Sequence, residues 1–171
     1  MKAIQAIEKA LAQAEEIFIM FLLSAMVIVV SIQVVSQSFL HLDITWTEEI
    51  SRIMLIWCLM IGSCIAVRRG SHLAVEFVYQ SLHGAAKLAL RMVVLLICVI
   101  VCIYICRSGV YMVSSHIQRG NFFGITHLPL WAESVAVPLA FAIMAFHFVV
   151  LALNDIQAFR LGDFDKPEVN T

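Results

Sequence analysis

Two short stretches concentrate the residues whose types and spacing could do chemistry. The first is Trp46-Thr47-Glu48-Glu49-Ile50-Ser51-Arg52. If this stretch is helical, Glu48 and Arg52 stand one turn apart in the favourable acid-before-base order, and Glu49 and Arg52 are spaced i, i+3. Two readings are open. Acidic residues at a helix start complement the positive end of the helix dipole. Alternatively, the charges pair with another protein chain, since charge at the edge of hydrocarbon is costly without a partner. The second stretch is Arg68-Arg69-Gly70-Ser71-His72 with Glu76 one turn beyond. Paired arginines at a helix end can hold lipid phosphates, while His72 and Glu76 could instead fix a surface helix against a partner.

Metal, haem and thiol chemistry find little support. Of six histidines, His41, His72, His83, His116 and His127 fall in loops or interfacial segments and only His147 lies well inside an apolar stretch. A bis-histidine haem needs facing histidines at one depth on two helices. Cys58, Cys64, Cys98, Cys102 and Cys106 all sit in apolar surroundings without a CxxC pair, and the i, i+4, i+8 repeat of the last three reads as a packing stripe. No cofactor and no metal site is expected.

The elements that must position these residues follow from composition. Of 171 residues, 62% are hydrophobic and 13% charged, about half the charged share of a soluble domain. Four apolar stretches, at about 17–40, 50–67, 88–110 and 130–153, have the ~20 residues that cross a bilayer as a helix. The fold class expected is therefore all-α integral membrane with four transmembrane helices. Residues 1–16 and 72–83 read as amphipathic helices lying in the membrane surface, and 154–171 as a polar tail. Thr45 and Glu48 have capping-box spacing, and Trp46 suits the headgroup level. Between Arg91 and Arg107 the third span carries no charge, so both arginines can snorkel to opposite headgroup layers. Residues 110–129 read as the one long connection, and Pro138 predicts a kink in the fourth span. A formal net charge of -1 with dispersed basic residues gives no sign of a nucleic-acid partner.

With a cytoplasmic N-terminus, Lys2, Lys9, Arg68, Arg69, Lys87, Arg91, Arg160 and Lys166 fall on the inner side, and Arg52, Arg107 and Arg119 on the outer. That bias places both termini in the cytoplasm. The centres of the spans hold Ser24, Ser31, Gln33 and Ser63 but no charge, and Pro138 is the sole breaker. A chain that carried a polar solute by itself would place ionisable groups or broken helices near the midplane. The pattern is that of a scaffold.

Four spans with Ile44 to Arg52 opening the second helix and Ala66-Val67-Arg68-Arg69-Gly70-Ser71-His72 closing it resemble the small membrane subunit of tripartite ATP-independent periplasmic (TRAP) transporters. Trp46, Glu48 and Glu49 match that family's W-x-E-E feature and Arg68 with His72 its R-x-x-x-H feature; Glu76 stands where the family often has aspartate. The resemblance implies a multi-pass protein of the bacterial inner membrane with no catalytic residues of its own. It implies a large multi-span partner that moves a carboxylate solute by a sodium-coupled elevator motion, so that sodium coupling belongs to that partner. A periplasmic substrate-binding protein would meet the outer face transiently, and phospholipids would surround the spans. Sialic acid and C4-dicarboxylates are both substrates in the family. The alternative is a tetraspan anchor for a quinone or haem redox enzyme; a thiol oxidoreductase would need outward cysteine pairs that this chain lacks.

Overall fold

A computed structural model of the chain describes residues 2–40, 45–68 and 85–160. The expected surface helix at 72–83, with Arg69, His72 and Glu76, lies outside the described residues, as does the tail beyond 160. The elements are α1 (Lys2–Val35) with a π-helical turn (Ser36–Leu40), α2 (Thr45–Arg68), α3 (Ala85–Arg119), a single-turn α4 (Trp131–Ser134) and α5 (Ala136–Arg160). Four helices are long and apolar enough to span a membrane, the last formed by α4 and α5 together. Among the described residues the one extended pairing is a single antiparallel bridge, Phe122 to Pro129.

Two boundaries differ from the sequence expectation. No proline or glycine interrupts residues 2–40, and Ala, Glu, Lys and Leu in the first sixteen favour helix, so the N-terminal segment runs into the first span without a break. Glu15, within the segment that reads as a surface helix, is buried. The third helix continues past Val110 to Arg119, because polar residues alone do not end a helix. Gly120 does so, with a positive φ of 58°. There the Gly120 amide donates to Ile117 O and the Asn121 amide to His116 O, the paired bonds of a Schellman cap. The connection between the third and fourth spans is thus the short segment 120–130. In the fourth span the helix breaks at Val135, between α4 and α5. Pro138 has no N–H for the Ser134 carbonyl, so the interruption falls one turn before the proline.

The helices assemble around α5: α2 and α3 each pack on it, and α1 packs on α2. Cys64 and Val67 of α2, Leu95 and Cys102 of α3, and Ala140, Met144 and Phe148 of α5 form the core. The cysteines are packing groups that also donate: Cys64 Sγ to Ala140 O at 3.3 Å and Cys106 Sγ to Pro138 O at 3.4 Å. All five thiols are free. A Cβ on Gly109 would come within 2.9 Å of Pro138 Cδ, so the absence of a side chain lets α3 and α5 meet at this point. Gly62 lies against Ile19 of α1. Outward faces remain apolar and exposed, as at Phe21, Val27, Leu59, Leu96 and Ile100. Lipid rather than water is the solvent for which these surfaces are suited.

Candidate functional site

Two polar clasps hold the helices at different heights. At the Thr45 end of α2, termed outer after the orientation expected from the basic residues, Glu49 and Arg52 face the 120–130 segment and α4. The Glu49 carboxylate accepts hydrogen bonds from Ile125 N at 3.2 Å, Thr126 N at 2.9 Å and Thr126 Oγ1 at 2.7 Å. Consecutive amides can converge on one carboxylate because the chain turns sharply there, with His127 at φ 53°. Arg52 lies over the Phe123 ring, 4.9 Å from its centroid, and its Nε is 3.7 Å from Glu133 Oε2. One guanidinium therefore combines a cation–π contact with an ion pair to the fourth span. Trp57 Nε1 donates to Ala132 O at 3.2 Å and adds a third tie.

At the opposite end of α2, termed inner on the same expectation, Arg68 turns onto α1. Its Nη2 donates to Glu16 Oε1 at 2.7 Å and its Nε lies 3.7 Å from Glu15 Oε2. Glu15 reaches α5 as well: His147 Nε2 and Glu15 Oε1 are hydrogen-bonded at 3.0 Å, with side-chain exposures of 1% and 3%. The cluster thus links α1, α2 and α5, with Glu15 and His147 buried and Glu16 at its exposed margin. Farther toward the ends of α3 and α5, Arg91 Nε pairs with Asp155 Oδ2 at 2.6 Å.

The residues singled out in the sequence are thereby separated into groups. Glu49 and Arg52 are brought together, each with a partner on a distant part of its own chain; the expected neutralisation of Arg52 along its own helix is replaced by Glu133. Trp46 and Glu48 point outward and are exposed. Arg68 serves an internal ion pair where the sequence suggested a lipid-phosphate anchor, because Glu15 and Glu16 stand one helix away. Arg91, expected to snorkel, pairs with Asp155. Sequence reasoning missed Glu15, Glu16, Phe123, Thr126, Glu133 and Asp155 as partners. His147 carried a usable signal, since a titratable group inside an apolar span calls for a partner. Its Nε2 is engaged by Glu15.

A groove of about 400 Å³ opens between α2 and α3 over α5, lined by Ser63, Val67, Cys102, Phe141, Met144 and Phe148 among others, none of them charged. The Ser63 hydroxyl is satisfied by Leu59 O at 2.8 Å. Residues 26–158 match the family described as the DctQ component of tripartite ATP-independent periplasmic transporters. The chain belongs to this family. Similar proteins include the sialic acid TRAP transporter small permease protein SiaQ of Vibrio cholerae, 26% identical over 142 residues, which covers 82% of this chain and 80% of that protein. The ectoine TRAP transporter small permease protein TeaB of Halomonas elongata is 24% identical over 66% of this chain. The C4-dicarboxylate TRAP transporter small permease protein DctQ of Rhodobacter capsulatus is 20% identical over 75% of it. The matches span 58% and 57% of those two proteins' own lengths. As a TRAP small permease subunit, the chain is a transport component and not an enzyme.

Proposed function

We propose that this small permease subunit braces the stationary part of a sodium-coupled TRAP transporter for a carboxylate solute, and that the moving, solute-binding machinery belongs to a large multi-span partner. The observation that carries the reading is where the chain's charges go. Glu15, Glu16, Glu49, Glu133 and Asp155 are matched to Arg52, Arg68, Arg91, His147 or backbone amides of the same chain. Groups used to lock helices together do not line a route for an anion, and the groove between α2 and α3 is apolar. The similar SiaQ and DctQ proteins carry names for carboxylate-bearing solutes, which favours sialic acid or a C4-dicarboxylate. Both termini lie in the cytoplasm of a bacterial inner membrane, by the bias of basic residues, and the 120–130 segment faces a periplasmic substrate-binding protein. Trp46, Glu48, Arg69, His72 and Glu76 meet the large subunit or lipid headgroups at the rims.

Reconstitution separates this from a self-sufficient transporter. Liposomes holding the subunit alone should show no sodium-driven uptake of labelled sialic acid or succinate, and uptake should appear only with the large subunit and binding protein added. Uptake by the subunit alone overturns the reading. Single cysteines from Asn121→Cys and Asn170→Cys should label from opposite sides; same-side labelling removes the orientation.

A further inference from the structure

The side of α3 that points away from the bundle changes character along its length. Leu95, Cys102 and Gly109 mark the side that packs on α5, and all three are buried. On the opposite side, Tyr104, Arg107, Tyr111, Ser114 and Gln118 recur at steps of three and four residues, which keeps them on one face. All five are exposed, Tyr104 at 75% and Tyr111 at 79%. Toward the N-terminus of α3 the same face continues as Val93, Ile97 and Ile100, which are apolar and also exposed. A helix face turned to lipid is normally its most apolar one, and here the outer half is its most polar.

Projection above the membrane would explain such a face, but the packing excludes it. Cys106 donates to Pro138 O and Gly109 lies against Pro138. Arg107 is therefore level with the start of α5. Cys64 donates to Ala140 O, which puts that same level only four residues from the inner end of α2. From Cys64, α2 rises roughly 28 Å to Thr45 at 1.5 Å per residue. Near its top, Glu49 grips Ile125 and Thr126, just past the end of α3. The stripe from Tyr104 to Gln118 thus lies at the height of the apolar body of α2, on the far side of α5. Raising it into water would raise the exposed Leu55 and Leu59 with it.

A guanidinium and two phenols at hydrocarbon depth need polar partners. The ion pairs of the described residues engage Arg52, Arg68, Arg91 and His147, and Arg107 is in none of them. A second copy of this chain is a poor occupant, since a two-fold pairing of the stripe would set Arg107 near its own image. We propose that this face of α3 is the docking surface for a transmembrane segment of the large membrane subunit, one that presents a carboxylate to Arg107 and hydrogen-bond acceptors to Tyr104 and Tyr111. The assignment rests on the reading of this chain as one subunit of a larger transporter.

The test uses the complete transporter. Benzoylphenylalanine introduced at Tyr104 or Tyr111 should, on irradiation in native membranes, give adducts that mass spectrometry identifies as the large subunit. Adducts confined to phospholipid or to a second copy of this chain overturn the proposal. In parallel, Arg107→Glu at normal membrane level should lower co-purified large subunit at least ten-fold, while Arg107→Lys retains most of it. Full co-purification with Arg107→Glu overturns the docking face and leaves the subunit reading standing. If the unaltered chain brings down no large membrane protein, the subunit reading itself fails.

Discussion

Replacing His147 and Glu15 singly and together tests whether the inner clasp stabilises the bundle. In His147→Leu the Glu15 carboxylate stays buried and keeps only the Arg68 guanidinium at 3.7 Å. Removing one member of a buried pair costs about 3–5 kcal/mol, and the surviving arginine contact argues for about 3. In Glu15→Leu, Arg68 retains Glu16 at 2.7 Å, and the loss is confined to an imidazole without its partner, about 1–3 kcal/mol. The double variant leaves neither group stranded and puts apolar side chains in apolar surroundings. It should therefore cost less than the sum of the singles, with a coupling of about 2 kcal/mol. For a chain of this size 1 kcal/mol moves the melting temperature by about 2–4 °C, so His147→Leu should melt about 6–12 °C lower and the double variant should recover part of that. The assay is thermal unfolding of the purified subunit in detergent, followed by circular dichroism. Additivity of the two single effects within about 0.5 kcal/mol would refute the coupling.

Two further outcomes follow from the packing. Gly109→Val places a branched side chain against the rigid Pro138 ring and should destabilise by about 1–3 kcal/mol in the same melt; an unchanged melting temperature would mean that α3 and α5 do not approach there. Glu49→Gln weakens and Thr126→Val removes contacts at the outer clasp, so hydrogen–deuterium exchange at the amides of 123–128 should speed up several-fold in both variants, and unaltered exchange would deny the carboxylate its role in ordering that segment.

The spans were legible because hydrocarbon thickness dictates a run of about twenty apolar residues and the four runs are separated by charges, glycines or prolines. Pro138 announced the break that appears at Val135 for the same covalent reason. Helix ends were less visible: hydropathy reports where lipid ends, whereas helicity stops only where the backbone has a reason to stop, as at Gly120. The clasps were least visible. Glu49 and Arg52 stood out through their spacing on one helix, but their partners Thr126, Phe123 and Glu133 are contributed by segments roughly 70–80 positions away, and local spacing carries no information at that range. Arg107 illustrates the same limit in reverse. In the sequence it closes a charge-free stretch and reads as a headgroup anchor; only the contacts of Cys64, Cys106 and Gly109 reveal its depth.

The contact between Glu15 and His147 bridges 132 positions of sequence, and that separation acts as a clock during biosynthesis. Ribosomes extend chains at about 5–20 residues per second, so some 7–26 s elapse between polymerisation of the acid and polymerisation of its imidazole partner. Through that interval α1 has left the ribosome with a carboxylate that its final surroundings cannot yet accommodate. The Glu15 carboxylate gains its first partner when Arg68 is made and its second only when α5 follows. The last helix to be synthesised thus supplies the contact that completes the polar surroundings of the first.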